Sequence, residues 1–148
     1  RQVVVLDEYY CKKRLNPKQL QEAFVDFVRR AQARWKVPEA YCDSAEQTLI
    51  SGLDLACIQA GVRIDIKNAI KGPINDRIAF YNSLIAQHRW KVMRHCTNII
   101  SAFEQAVYDD KKPNQDVRLD DGLMNVDSLD STEYSTESVQ DDILYIAA

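Results

Sequence analysis

The sequence predicts an α/β domain built around a mostly parallel sheet, and three observations point there. Short β-branched or alternating runs recur between longer segments with helical spacing. Helix-start and helix-stop residues stand at the junctions between them. The 148 residues are 46% hydrophobic and 28% charged, the balance of a folded protein with enough chain for one domain and a real core.

The elements follow in order. Residues 2–7 hold Val3, Val4, Val5 and Leu6, a β-branched run suited to a buried strand. Asn16-Pro17 places an N-cap and a first-turn proline before Leu20, Phe24, Phe27, Val28 and Ala31 at helical spacing. Pro38 ends that pattern. Glu39 to Asp43 reads as a second strand, and Ser44 caps a helix carrying Leu49, Leu53, Ala56 and Cys57, stopped by Gly61. Val62 to Ile66 alternates as a third strand, and Lys71-Gly72-Pro73 makes a turn. Ile74, Ile78, Tyr81, Leu84 and Ile85 mark the next helix, and residues 90–93 a fourth short strand. A helix opens at Thr97 or Asn98 and runs to Tyr108. Residues 109–122 form a polar loop or hairpin, and residues 123–137 a last helix. In such sheets, sites gather at the carboxyl ends of the strands.

Bulk properties exclude several classes. No apolar run reaches the length of a membrane span, and no signal-peptide pattern opens the chain. Cys11, Cys42, Cys57 and Cys96 lack zinc or redox spacing and read as free thiols, with a site of Cys96, His95 and His88 as a weak alternative. Four scattered glycines leave no phosphate loop, and no nucleophile elbow or H-E-x-x-H is present. The net charge of −3 is uneven: residues 1–108 carry +5 and residues 109–148 carry −8. An acidic chain of this kind does not coat DNA by electrostatics alone, yet it can still gather carboxylates around metals.

What remains for chemistry is acidic. Asp43 ends a predicted strand in PEAYCDSAEQ, where a carboxylate either faces the crevice above the sheet or caps the following helix. Asp127 and Asp130, in NVDSLDSTEY, share a helix face at i, i+3 spacing, either as ligands around a cation or as a solvated face. Asp120 and Asp121 read as turn residues. Carboxylates brought to one crevice suit Mg²⁺ or Mn²⁺, and a pair of such ions can assist phosphodiester cleavage.

Five segments, in order, are similar to the C-terminal nuclease domain of phage terminase large subunits. They are VVVLDEYY, YCDSAEQ, the stretch from Val62 through KGPINDRI, CTNIISAFEQAVYD and NVDSLDSTEYS, and together they extend over nearly the whole chain. The resemblance implies an RNase H-like fold, a central mostly parallel or mixed sheet flanked by helices. It also implies a metal-dependent DNA endonuclease that cuts concatemeric viral DNA with two Mg²⁺ or Mn²⁺ ions. Asp43 matches the second of three family acids, and Asp130 the last, in its Asp-x-x-x-Tyr context. Many relatives carry His three residues before that last acid, where this chain has Asp127, so the resemblance implies either a further anionic metal ligand there or altered proton handling. Lys71, or Lys67, matches a family lysine placed to contact the scissile phosphate or steady a carboxylate.

The first family acid lies on a strand ahead of VVVLDEYY, and Asp7 and Glu8 stand at the wrong end of the wrong strand to replace it. The chain is therefore expected to be a nuclease domain without its first strand and without the upstream ATPase domain. The implied partners are double-stranded DNA, the terminase ATPase domain, the small terminase subunit and the portal, in the cytoplasm of a bacterial host and without a membrane. A different class remains open: a non-catalytic module that docks on the packaging motor or portal. A resolvase or integrase core is less similar, since those carry more basic surface.

Overall fold

A computed structural model describes residues 1–43, 45–106 and 125–145. Among these residues four strands and six helices follow in the order β1 (Val3–Val5), α1 (Pro17–Gln32), β2 (Glu39–Cys42), α2 (Gln47–Gln59), β3 (Asp65–Asn68), α3 (Ile74–Ala86), β4 (Trp90–Val92), α4 (Thr97–Gln105), α5 (Val126–Glu137) and α6 (Gln140–Leu144). The mixed α/β class is as expected. The strands form two separate parallel pairs, β1 with β4 and β2 with β3, rather than one hydrogen-bonded central sheet among the described residues. No helix among these residues is long and apolar enough to cross a membrane.

The chain groups into two compact units, one of Tyr9–Ala69 and one of Arg1–Glu8 with Ile70–Ala148. In the first, α1 starts on a capping box: the Asn16 side chain accepts from the Gln19 N–H, and the Gln19 side chain accepts from the Asn16 N–H. Its apolar stripe buries Val25 and Val28 against Cys57 and Val62, with Phe24, Ala56, Ile64 and Ile66 packed around them. A Cβ at Gly52 of α2 would meet the end of the flexible Gln21 side chain of α1 at 2.7 Å. Gly61, at φ +70°, ends α2 in the left-handed region.

β3 lies about one turn later than the alternation suggests, over Asp65–Asn68 instead of Val62–Ile66. The cause is competition for the backbone. The Val62 N–H closes the α2 terminus on the Cys57 carbonyl, and the Gln32 amide takes the Arg63 carbonyl. The ladder then begins where the Asp65 N–H reaches the Pro38 carbonyl. The register pairs Glu39 with Asp65 and Cys42 with Asn68.

In the second unit, Phe80, Tyr81, Leu84 and Ile143 form the core, with Val3, Trp90 and Phe103 against it. Tyr81 meets the rings of Phe80, Trp90 and Phe103 at centroid distances of 5.2, 6.3 and 5.4 Å. Arg89 donates to the carbonyls of Arg1 and Ile143, which ties β1 and α6 to the start of β4. α6 follows a helix end at Ser138 and was not expected from the pattern. α4 stops at Gln105 rather than running on, and α5 begins at Val126. The expected 109–122 loop, Asp120, Asp121 and Leu123 lie outside the described residues.

Candidate functional site

α5 is a helix whose inner face is polar. Its N-cap Asn125 accepts from the Ser128 N–H at 3.1 Å. Ser128, Thr132, Glu133 and Thr136 are buried beside Leu129 and Tyr134. The hydroxyls are served locally: Thr132 donates to the Ser128 carbonyl, Thr136 to the Glu133 carbonyl. Tyr81 of α3 donates to the Thr132 carbonyl at 2.9 Å and shares a hydrogen with the Thr136 hydroxyl at 2.9 Å. Burial pushes the Tyr81 phenol well above its ordinary range, opposed by the Thr136 hydrogen bond and aided by the nearby Glu133 and Glu137 charges.

Asp130, Glu133 and Glu137 follow one another at i, i+3 and i+7, which aligns them along one side of α5. Each meets the chain segment at the start of α3. Arg77 Nη1 lies 3.2 Å from Asp130 Oδ1 and 3.1 Å from Glu133 Oε2. Glu137 accepts the backbone N–H groups of Lys71 and Gly72 at 3.1 and 2.8 Å. The Glu137 bonds hold Lys71 at φ +59°, a left-handed conformation that a non-glycine residue adopts only when its surroundings impose it.

The expected residues fall as follows. Asp130 sits half-buried on α5 and faces Arg77. Asp127 is exposed in the first turn of the same helix, where the helix dipole favours a negative charge. Lys71 is exposed in the turn anchored to α5 through Glu137. These three share one unit. Asp43 belongs to the other unit, exposed just past the carboxyl end of β2, where its Oδ1 accepts the Ala45 N–H at 2.9 Å. Ser44 lies outside the described residues, and α2 begins after Glu46 with no side-chain cap, so the expected helix start at Ser44 moves to Gln47. The alternative Lys67 is bound up in an exposed network, 2.7 Å from Glu39 and 3.5 Å from Asp65. The Lys67 hydrogen bond, then that of Tyr41, holds Glu39 below its ordinary range, and Glu39 in turn raises Lys67.

Three residues of this arrangement escaped the sequence pattern: Arg77, Glu133 and Glu137. A signal for Arg77 was present. It stands at i relative to Phe80, Tyr81 and Leu84 at i+3, i+4 and i+7, and a charged residue on an apolar stripe requires a buried counter-charge. Glu8 has a structural role instead of a catalytic one. Its carboxylate accepts the Asn98 and Ile99 N–H groups and the Asn98 amide, each at 2.9 Å, and so caps α4 from a distance.

Asp127 and Asp130 are oxygen donors of the kind Mg²⁺ and Mn²⁺ take. Among the described residues, however, no three carboxylate, imidazole or thiol groups gather as a metal site. Asp130 Oδ1 already faces a guanidinium. The described side chains alone thus do not gather into a complete cation site. His95 pairs with Asp7 at 3.3 Å, and burial, then Glu8 and Asp7, push the Cys96 thiol up, so the thiolate that zinc needs is disfavoured. No family model, curated protein or solved structure matches the chain.

Proposed function

We propose that this chain is the nuclease domain of a phage DNA-packaging terminase, an RNase H-like endonuclease that hydrolyses phosphodiester bonds of concatemeric double-stranded DNA. The observation that carries it is Asp43. In the motif YCDSAEQ it stands exposed at the carboxyl end of a strand in a parallel pair, the position where α/β folds place their chemistry. The ordered set of five similar segments supports the same reading. Catalysis is assigned to Asp43, Asp130, Asp127 and Lys71. Mg²⁺ or Mn²⁺ is the cofactor class this function would use, with DNA, the ATPase domain, the small subunit and the portal as partners in the bacterial cytoplasm.

The test is nicking of supercoiled plasmid in Mn²⁺ by the full polypeptide that carries this chain. Asp43→Ala and Asp130→Ala are each expected to lower the rate by more than about 100-fold, beyond what loss of a supporting contact costs. Full activity in both variants removes the assignment.

A second reading, a non-catalytic docking module for the motor or portal, is favoured by one feature: the Asp130 carboxylate is already paired with Arg77. Mn²⁺ titration separates the two. Binding that raises the melting temperature, and that is lost in Asp130→Asn, supports the nuclease, whereas millimolar Mn²⁺ without effect supports the module.

A further inference from the structure

One Arg77 nitrogen lies between two carboxylates. Nη1 is 3.2 Å from Asp130 Oδ1 and 3.1 Å from Glu133 Oε2. Arg77 is 6% exposed and Glu133 1%, and the guanidinium carbon sits 5.4 Å from the Tyr134 ring centre. The Arg77 Nε is buried without a hydrogen-bond partner, and Nη1 is the nitrogen that meets both acids. It is held where both acids can use the same nitrogen.

We propose that Arg77 is a positioning residue that serves as the resident counter-charge of Asp130, orienting its carboxylate and holding down its affinity for a divalent cation. The inference rests on the nuclease reading only for what that cation is used for. A guanidinium stays charged at any pH of interest. In a half-buried setting its repulsion of a dication a few ångströms away is poorly screened. Mg²⁺ also demands oxygen ligands at close to ideal octahedral positions, and Oδ1 is turned toward Nη1. Swinging Arg77 aside would break its 3.1 Å ion pair with the buried Glu133 as well as its 3.2 Å contact with Asp130. A cation that reaches Asp130 therefore shares it with Arg77.

The experiment is Mn²⁺ titration of the 148-residue chain, reading free Mn²⁺ by electron paramagnetic resonance, with melting curves to confirm folding. R77M is expected to tighten binding by about tenfold or more. R77M/E133L exchanges the buried ion pair for an apolar one and keeps the fold if R77M alone does not. The guanidinium hydrogen-bonds Asp130 Oδ1 directly at 3.2 Å, so a gain of about threefold or more is expected to remain in the double variant. R77K restores the positive charge and with it affinity close to that of the unaltered chain. Adding D130N to R77M/E133L removes the gain. A purely structural role for Arg77 predicts unchanged or weaker binding. A folded R77M/E133L that binds Mn²⁺ no more tightly overturns the proposal, and so does a gain that survives D130N. A gain that depends on Asp130 in a polypeptide that never nicks DNA sustains Arg77 as the attenuator while the nuclease reading falls.

Discussion

At the scale of single residues, the buried hydroxyl of Tyr81 makes the sharpest pH prediction. The phenol is 2% exposed, and its raised pKa means that the folded chain keeps a proton that the unfolded chain releases near the ordinary value of about 10. The stabilisation is thus complete below about pH 10 and is lost as pH rises from there toward the folded value, at up to about 1.4 kcal/mol per pH unit. Tyr81→Phe removes two hydrogen bonds but leaves the Thr132 carbonyl with the Ser135 hydroxyl as donor and the Thr136 hydroxyl free to donate to the Glu133 carbonyl. At pH 8 it should cost about 0.5–1.5 kcal/mol. By about pH 11 the phenylalanine variant, which has nothing to ionise, should equal or exceed the unaltered chain. Urea unfolding at the two pH values reads this directly. A stability gap of the same size at both would show that Tyr81 does not ionise on unfolding as described.

At the scale of elements, the helix ends decide what the sequence could show. The start of α1 was legible because its signals are local: Asn16 and Pro17 stand next to each other in sequence. α4 has no cap of its own at Cys96, and its first N–H groups are taken by Glu8, some ninety positions earlier. No window along the chain reveals such a partner. Nor does the alternation at Val62 reveal that the α2 terminus and Gln32 will claim its backbone first. Glu8→Ala should therefore cost about 1–3 kcal/mol, the range for hydrogen bonds to a charged acceptor, with α4 amides exchanging faster. A change within about 0.5 kcal/mol would mean that water replaces the cap at no cost. Glu137→Ala makes a parallel case for the Lys71 turn. Its stability loss should be accompanied by faster hydrogen exchange at the Lys71 and Gly72 amides, and unchanged exchange there would show that the turn holds its left-handed conformation unaided.

At the scale of the whole molecule, charge limits how DNA can be held. The carboxylates Asp43, Asp127 and Asp130 were legible because acids at a strand end and on one helix face leave a pattern; the apolar stripe around Arg77 signalled its burial, but not its acidic partner more than fifty residues away. That same pairing removes a cation from the surface. Arg77 is committed to Asp130 and Glu133, Arg89 to backbone carbonyls, and Lys67 to Glu39. A chain of net charge −3 with these three of its 19 basic residues so engaged should make few phosphate contacts. Binding to a short duplex, followed by fluorescence anisotropy, should weaken with salt along a slope shallower than the six or more contacts that cost about 10³-fold between 50 and 200 mM. A steeper slope would require a basic surface built from the remaining Lys and Arg residues. Binding with no salt dependence would remove the phosphate backbone from the interaction, and with it the DNA-binding half of the proposed function.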